Sequence, residues 1–532
     1  MTEQRYQYAY IRSPDQDAST PVRHPVVVVG AGPVGMTAAL DFARRGVPVV
    51  LLDDSNRIGE GSRAICFSKR ALEILDRVGA AAWPVAKGVT WQIGKVFWGD
   101  DMVYRFDLLP ESGHKMPAFI NLQQYYLEAH LVERCLAESR IDLRWNNRVI
   151  GVDPGADGAR IDIETPDGVY RLDADYVIAA DGAKSPIRDM LGLAFEGKVF
   201  EDRFLIADVR MEADYPTERW FWFDPPFHRG QSALLHRQPD NVWRIDLQLG
   251  WDADPVEEVK PENVVPRLRR MLGDRAFELE WVSIYTFQCR RLRRFMHGRV
   301  IFVGDAAHQV SPFGARGANS GVEDAENVAW KLALVLRGEA GPGLLATYEA
   351  ERGAAADENI RHSTRSTDFI TPKGPASIAF RNAVLALSPH APFAQRMVNS
   401  GRLSRPCTYD TALTTADEDD FAGSARLGAP MPDAPLVEEG GNAGWLLDRL
   451  SNGFTLINVA NGAVPVGPAG VDLLTIGETV TDAAGAFTER FDATPGACYL
   501  VRPDQHLCAR WRRFDAANVT AALARAKGNV HG

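Results

Sequence analysis

The sequence predicts an α/β protein in three parts: a parallel βαβ unit near the N-terminus, a mostly antiparallel sheet in the middle, and a small α/β unit at the C-terminal end. Three observations predict it. Val26 to Val29 are four consecutive valines, followed by a glycine-rich turn, a helix-spaced segment and a second apolar strand. Residues 203–249 alternate strongly (FLIADVRM, RWFWF, VWRIDLQL) and are broken by the turn signals DPPFHRG and QPDN. Residues 401–432 are polar and punctuated by Pro and Gly, which reads as a linker, and FTLINV, DLLTI and CYLVRP follow it.

The bulk properties bound the alternatives. A chain of 532 residues exceeds the size at which one core stops growing, so two or three domains are expected. The net charge of −11 argues against nucleic acid or an anionic membrane as the main partner. The basic run Arg290, Arg291, Arg293, Arg294 then reads as a solvated face or a set of phosphate contacts. Cys66, Cys135, Cys289, Cys407, Cys498 and Cys508 form no CxxC pair and no zinc-like spacing, which suits a reducing cytoplasm. Residues 1–24 read as a polar arm without the apolar core of a signal peptide. No apolar run approaches the roughly 18 residues of a membrane span, so no membrane partner is expected, and without zinc-like spacing no metal is expected.

Taken in order, the strand of valines ends in Gly30-Ala31-Gly32-Pro33-Val34-Gly35, a GxGxxG turn. Gly30 allows the tight turn, Gly32 lets backbone approach a pyrophosphate, and Gly35 lets helix and strand pack closely. The helix N-terminus offers free N–H groups and a positive dipole, and Pro33 suits its first turn. The next strand, Val49 to Leu52, ends in Asp53 and Asp54; Asp53 stands 18 residues after Gly35, where a carboxylate would accept ribose hydroxyls. A helix is expected around 122–139. A buried strand at 175–180 delivers Asp181 and Gly182 to its carboxyl end, and another at 299–303 delivers Gly304 and Asp305, with His308 three residues on. Ser311 to Gly321 is a second glycine-rich loop opening a long helix near 320–337, with more helix over 343–365.

These three strand-end motifs, in this order and at these spacings, resemble the class A flavoprotein aromatic hydroxylases over residues 24–370. The resemblance implies a Rossmann-like FAD-binding domain, with FAD as cofactor and NAD(P)H as co-substrate. Asp53 would hold the adenosine ribose. Arg63 and Gln124 would touch the cofactor, and Asp181 and Gly182 would match a DG fingerprint tied to both FAD and NAD(P)H. Asp305 would bind the ribityl chain or phosphates and Pro312 would line the isoalloxazine. Gly317, Ala318 and Asn319 would face its pyrimidine edge. The third motif departs from the usual PPxGGxGxN, with Ser311 for the first Pro and Ala315 for the second Gly. The C-terminal unit is similar to the redox-dead thioredoxin-like domain of hydroxylases acting on 3-(3-hydroxyphenyl)propionate and on polyketide aromatics. The implied division is 24–84, 119–195 and 290–400 for FAD, 85–118 and 196–289 for substrate, and 430–532 for the thioredoxin-like part.

The implied reaction is hydroxylation of a phenolic ring by NAD(P)H and O2 through a C4a-hydroperoxyflavin. A small aromatic substrate is expected as partner, and a homodimer is left open. In the sheet 203–290, Trp220, Phe221, Trp222, Phe223, Trp243, Tyr285 and Phe287 suit a planar ligand. His236, Arg237, Arg244 and Tyr285 are the polar candidates for orienting it, with His236 and Arg237 on opposite faces. Other FAD-dependent monooxygenation (Baeyer–Villiger, epoxidising or denitrating) and a non-catalytic flavin-binding role stay open at this point. Hydrolase chemistry lacks its motifs.

Overall fold

The computed structural model describes residues 6–59, 64–398, 403–438, 440–462 and 465–529. Strand Val22–Val29 lies inside a mainly parallel sheet, between Val49–Leu52 on one side and Gly168–Ala179 on the other. Ile141–Arg144 extends the first edge and Val300–Phe302 the second, both in parallel. Val26, Val27 and Val28 are fully buried, which is why this strand reads as a continuous apolar run. Helix Pro33–Arg44 packs against helix Gly317–Leu336. The register aligns Val29 with Ala179, and Ala179 with Phe302. Three loops far apart in sequence therefore leave the sheet side by side, at its carboxyl edge.

The second sheet runs His308–Gln309, Glu278–Leu292, Phe195–Arg210, Val242–Leu249, Ser232–Arg237, Arg219–Phe223, Ile93–Trp98 and Asp101–Asp107. It is antiparallel except where Arg219–Phe223 meets Ile93–Trp98. Alternation sorts its residues onto two unlike faces. Leu205, Ala207, Leu235, Trp243, Ile245 and Leu247 form an apolar layer with Val264, Leu268 and Leu272 of helix Pro261–Leu272. Asp208, His236 and Arg244 share a cross-strand row on the other face. Trp220 and Trp222 pack with the apolar layer too. The three tryptophans expected among the aromatic substrate-wall residues thus lie on the far side of the sheet, because period-two alternation alone does not say which face meets the ligand.

Two segments are more ordered than their composition suggests. The N-terminal arm is docked: Tyr8 stacks on Trp145 at 4.8 Å, and Asp15 bonds Arg144 at 2.5 Å and His24 at 2.8 Å. The polar segment after residue 402 forms no helix or extended strand, yet Leu403, Cys407, Tyr409 and Leu413 are buried. It is a packed strap rather than a free tether, since its few apolar side chains fit between larger units. The C-terminal part is a seven-stranded mixed sheet in which Phe454–Val459 pairs in parallel with Val471–Ile476 and antiparallel with Cys498–Val501. Helices Ala486–Phe491 and Ala516–Ala526 complete it. All six cysteines are free and buried, and burial pushes the Cys498 and Cys508 thiols up to about 12, which makes both inert.

Candidate active site

One cavity of about 570 Å³ runs from the glycine turn, past the other two loops, to the polar face of the antiparallel sheet. Its volume lies within the roughly 300–1,000 Å³ usual for ligand and cofactor sites. The glycine turn shows a division of labour. Gly30 has φ +105°, and a Cβ there would stand 2.4 Å from the Ala180 carbonyl oxygen. A Cβ on Gly35 would stand 1.9 Å from the Gly30 carbonyl oxygen. These two residues let strands and helix approach, whereas a Cβ on Gly32 meets no protein atom within 4 Å and would project into open space. Gly30, Gly32, Pro33 and Val34 line the cavity; Gly35 stands behind it.

Asp53 and Asp54 are on the wall. Asp53 accepts the Ala31 N–H at 2.7 Å and the Ser55 N–H at 2.9 Å. Burial raises it to about 6 against the pull of those two amides, so it braces the glycine turn as well as facing the ligand space. Gln124 also lines the cavity; its Oε1 accepts the Ala64 N–H at 2.9 Å and its Nε2 donates to Glu128 at 2.6 Å. Arg63 lies outside the described residues.

From the second loop, Asp181 accepts the Ile187 N–H at 3.0 Å through Oδ2, while its Oδ1 is buried and unpartnered. Burial raises its pKa. Gly182, beside it, takes φ +75° and also faces the cavity. From the third loop, Asp305, Pro312, Gly317 and Ala318 line the wall. Gly304 and Asn319 do not. Gly304 has φ +59° and donates its N–H to Asp324, which also holds His308 at 2.6 Å. Asn319 is spent on protein: its Oδ1 accepts the Ser68 N–H and its Nδ2 donates to the Cys66 and Ala315 carbonyls. Asn319 thereby ties the third loop to strand Cys66–Ser68. Ala315 sits at φ +50°, the left-handed conformation that a glycine would take without strain.

On the opposite wall, His236, Arg244 and Tyr285 face the cavity, whereas Arg237 turns to the other face and covers Trp243. Arg244 grips Asp208 with two bonds of 2.8 Å each, and Gln238 donates to the same carboxylate at 3.1 Å. Burial works against the Arg244 charge, but the Asp208 carboxylate outweighs it and holds the guanidinium above its usual value. Burial, then the Arg219 and Arg244 charges, push His236 well below the ordinary histidine range, so it is neutral. Two wall residues were missed from sequence: Arg219 and Asp246. Burial lowers Arg219 and raises Asp246 to about 6. Their signal was a charge on the inward phase of an alternating strand, legible only once the phase of each strand is known. Among the described residues no group of three or more His, Cys, Asp or Glu could hold a metal. None of their helices is long and apolar enough to cross a membrane.

The first half of this cavity fits a flavin dinucleotide. Gly32 leaves the backbone bare where phosphates would approach a helix N-terminus, and Asp181 keeps one buried oxygen unmatched for a hydroxyl donor. Comparison with known proteins agrees. The family model described as FAD binding domain matches residues 23–363. A flavin-dependent monooxygenase of Mycobacteroides abscessus is 30% identical over 514 residues, covering 91% of this chain and 96% of that protein. A probable NADH-specific resorcinol 4-hydroxylase of Rhodococcus jostii is 30% identical, covering 94% of each. The crystal structure of the flavin-dependent monooxygenase PieE with FAD and substrate shares the fold, with TM-score 0.80 at 24% identity over 96% of this chain and all of that one. Since its dinucleotide loops and its near-full-length match to a monooxygenase point the same way, this chain belongs to the FAD-binding family of class A flavin-dependent monooxygenases.

Proposed function

We propose that the protein hydroxylates a small phenolic ring with NAD(P)H and O2, in the cavity where the three loops face the antiparallel sheet. The observation that carries this reading is the continuity of that cavity: the loops fitted to FAD and the polar sheet wall share one space. The same division of parts applies: residues 24–84, 119–195 and 290–400 hold FAD, 85–118 and 196–289 hold substrate, and 430–532 form the thioredoxin-like part.

In this reading the glycine turn and the first turn of helix Pro33–Arg44 bind the pyrophosphate through backbone N–H groups and the helix dipole. Asp53 and Asp54 take the adenosine ribose, and Asp181 and Asp305 the ribityl chain and phosphates. Pro312, Gly317 and Ala318 lie along the isoalloxazine. When bound, the flavin supplies electron transfer and the activation of O2. The protein's share is orientation and dryness. Ile65, Ile206, Leu234, Val310 and Phe313 line the cavity with apolar surface that excludes water from the reacting centre. His236, neutral and buried, and Tyr285 offer polar edges to a substrate, and Arg244, pinned by Asp208, presents a fixed positive field.

The test is aerobic oxidation of NADH or NADPH by the purified yellow protein, with a panel of phenols and product identification. Phenol-stimulated consumption coupled to a hydroxylated product is expected. Flavin-loaded protein that consumes no reductant with any phenol would overturn the reading.

A further inference from the structure

Three buried side-chain atoms without a hydrogen-bond partner stand together on the sheet wall: Arg219 Nε, His236 Nδ1 and Asp246 Oδ1. Arg219 and His236 are 4% and 3% exposed. Cross-strand register explains their grouping. Arg244 pairs with His236 and Asp208, and Asp246, two residues on and so on the same face, pairs with Leu234 and Ile206. Arg219 precedes Trp220, which pairs with Leu235, so it stands beside His236.

The carboxylates of this row differ in kind. Asp208 is saturated by Arg244 and Gln238. Asp246 has Arg244 and Arg219 near enough to act on its charge, yet its Oδ1 is bonded to neither. An unmatched carboxylate oxygen in a dry wall costs stability unless something outside the protein supplies a donor. Arg219 has the complementary lack. One of its terminal nitrogens donates to the Phe313 carbonyl at 3.3 Å, but Nε has no acceptor. Phe313 belongs to the loop assigned to the flavin, so the guanidinium spans the space between sheet and loop.

Resting on the aromatic-hydroxylase reading of the site, we infer that Asp246 accepts the ring hydroxyl of the substrate and that Arg219 donates to a second, acceptor substituent of the same molecule. The substrate is then a phenol carrying a further oxygen acceptor such as a carboxylate, carbonyl, nitro group or second hydroxyl. As the ring is attacked, the phenolic O–H bond breaks, its proton passes to Asp246 Oδ1, and the bonding pair stays on the phenolic oxygen and enriches the ring. On rearomatisation the C–H bond of the hydroxylated carbon breaks, its proton goes to solvent and its electron pair rejoins the ring, while Asp246 returns its own proton to the phenolic oxygen, so nothing is consumed at Asp246. Its affinity for a proton, near 6, suits an acceptor that is ionised at neutral pH and still close enough to share the proton.

The test titrates the FAD-loaded enzyme, by its flavin absorption, with phenols of this class and their methyl ethers, which keep the ring and acceptor but lose the hydroxyl donor. Wild type is expected to prefer at least one phenol over its ether by about tenfold, the scale of a hydrogen bond to a charged group. Asp246→Asn should erase that preference by weakening the phenol and not the ether, while Asp246→Glu retains it. Arg219→Gln should weaken phenol and ether alike, leaving unsubstituted phenol unaffected. The inference is overturned if wild type prefers no phenol over its ether, or if Asp246→Asn keeps the preference. Should that variant lose its flavin, Asp246→Ala serves as the neutral replacement with the same criterion. Failure of the hydroxylase reading looks different: the phenol binds with the expected preference but stimulates no NAD(P)H oxidation and yields no hydroxylated product.

Discussion

Two buried polar regions of this molecule obey opposite rules. At the junction between the C-terminal sheet and helices Gly317–Leu336 and Gly343–Ile370, the buried charges are paired. Arg502 bonds Glu351 at 2.6 and 2.9 Å and Asp504 at 3.0 and 2.6 Å. Lys331 and Asn327 add bonds to Glu351 at 2.7 and 2.8 Å. Arg352 joins Asp324, Glu323, Tyr409 and Ser320, and Asp324 reaches the third loop through His308 and the Gly304 N–H. Arg70 links Glu326 to the Asp504 carbonyl. Arg70 Nε, Asn327 Oδ1 and His308 Nδ1 lack a hydrogen-bond partner there as well, but away from the cavity; on the sheet wall, the unmatched atoms of Arg219, His236 and Asp246 belong to residues that border it. A buried charge with several partners holds parts together; an unmatched polar group that also borders a cavity marks where a ligand completes the set.

The largest expected effect tests the junction. Glu351→Ala removes the partner shared by Arg502 and Lys331, leaving buried Lys331 uncompensated and Arg502 held by Asp504 alone, and is expected to cost about 3–5 kcal/mol in denaturant-induced unfolding. A loss below about 1 kcal/mol would mean that the network is solvated and the contrast with the wall is false. The second expectation separates packing from ligand contact within one motif. Gly30→Ala forces a Cβ against Ala180 at positive φ, so it should lower stability and strip FAD together. Gly32→Ala meets no protein atom, so the flavin-free protein should unfold at the wild-type midpoint while FAD affinity falls by about tenfold or more. Equal behaviour of the two variants would contradict the division of roles.

The third concerns pH. Asp246 is raised in the folded state to about 6 from an unfolded value near 4. Between those values the folded state holds the proton that the unfolded state has lost, so stability falls as pH rises, and the penalty is complete above about 6. Asp246→Asn should therefore unfold later than wild type at pH 7.5, by about 1–2 kcal/mol once exposure to the cavity is allowed for, with the gap closing near pH 4. A variant less stable than wild type at pH 7.5 would assign Asp246 to the paired class. The smallest effect belongs to Ala315→Gly, which relieves left-handed strain but frees the unfolded chain, leaving a net change within about 1 kcal/mol either way, read from thermal unfolding of the flavin-free protein.

How much of this was legible in the sequence differs by element. The strand of valines, GxGxxG, Asp53 and the two later strand-end motifs carry their geometry locally, because turn chemistry and strand length dictate where a glycine or an acid must stand. The helices expected at 122–139, 320–337 and 343–365 are present as Gln124–Ala137, Gly317–Leu336 and Gly343–Ile370. The docked N-terminal arm and the packed strap after residue 402 were not legible, since their stability comes from distant partners such as Trp145 and Arg352. Asn319 shows the same limit at the site. Its place beside the third motif is a matter of sequence, but its engagement with Ser68 and Cys66 is set by a strand some 250 residues away.

By itself the sequence determined that this chain builds a dinucleotide cradle from three strand ends and sets an alternating sheet against it. Only the tertiary structure decided which face of that sheet meets the cradle, and with it that Trp243 is core while Asp246 and Arg219 are wall. The physical reason is that a glycine's freedom or a strand's period belongs to the local backbone, whereas the state of a buried charge depends on whether a neighbouring strand supplies its partner.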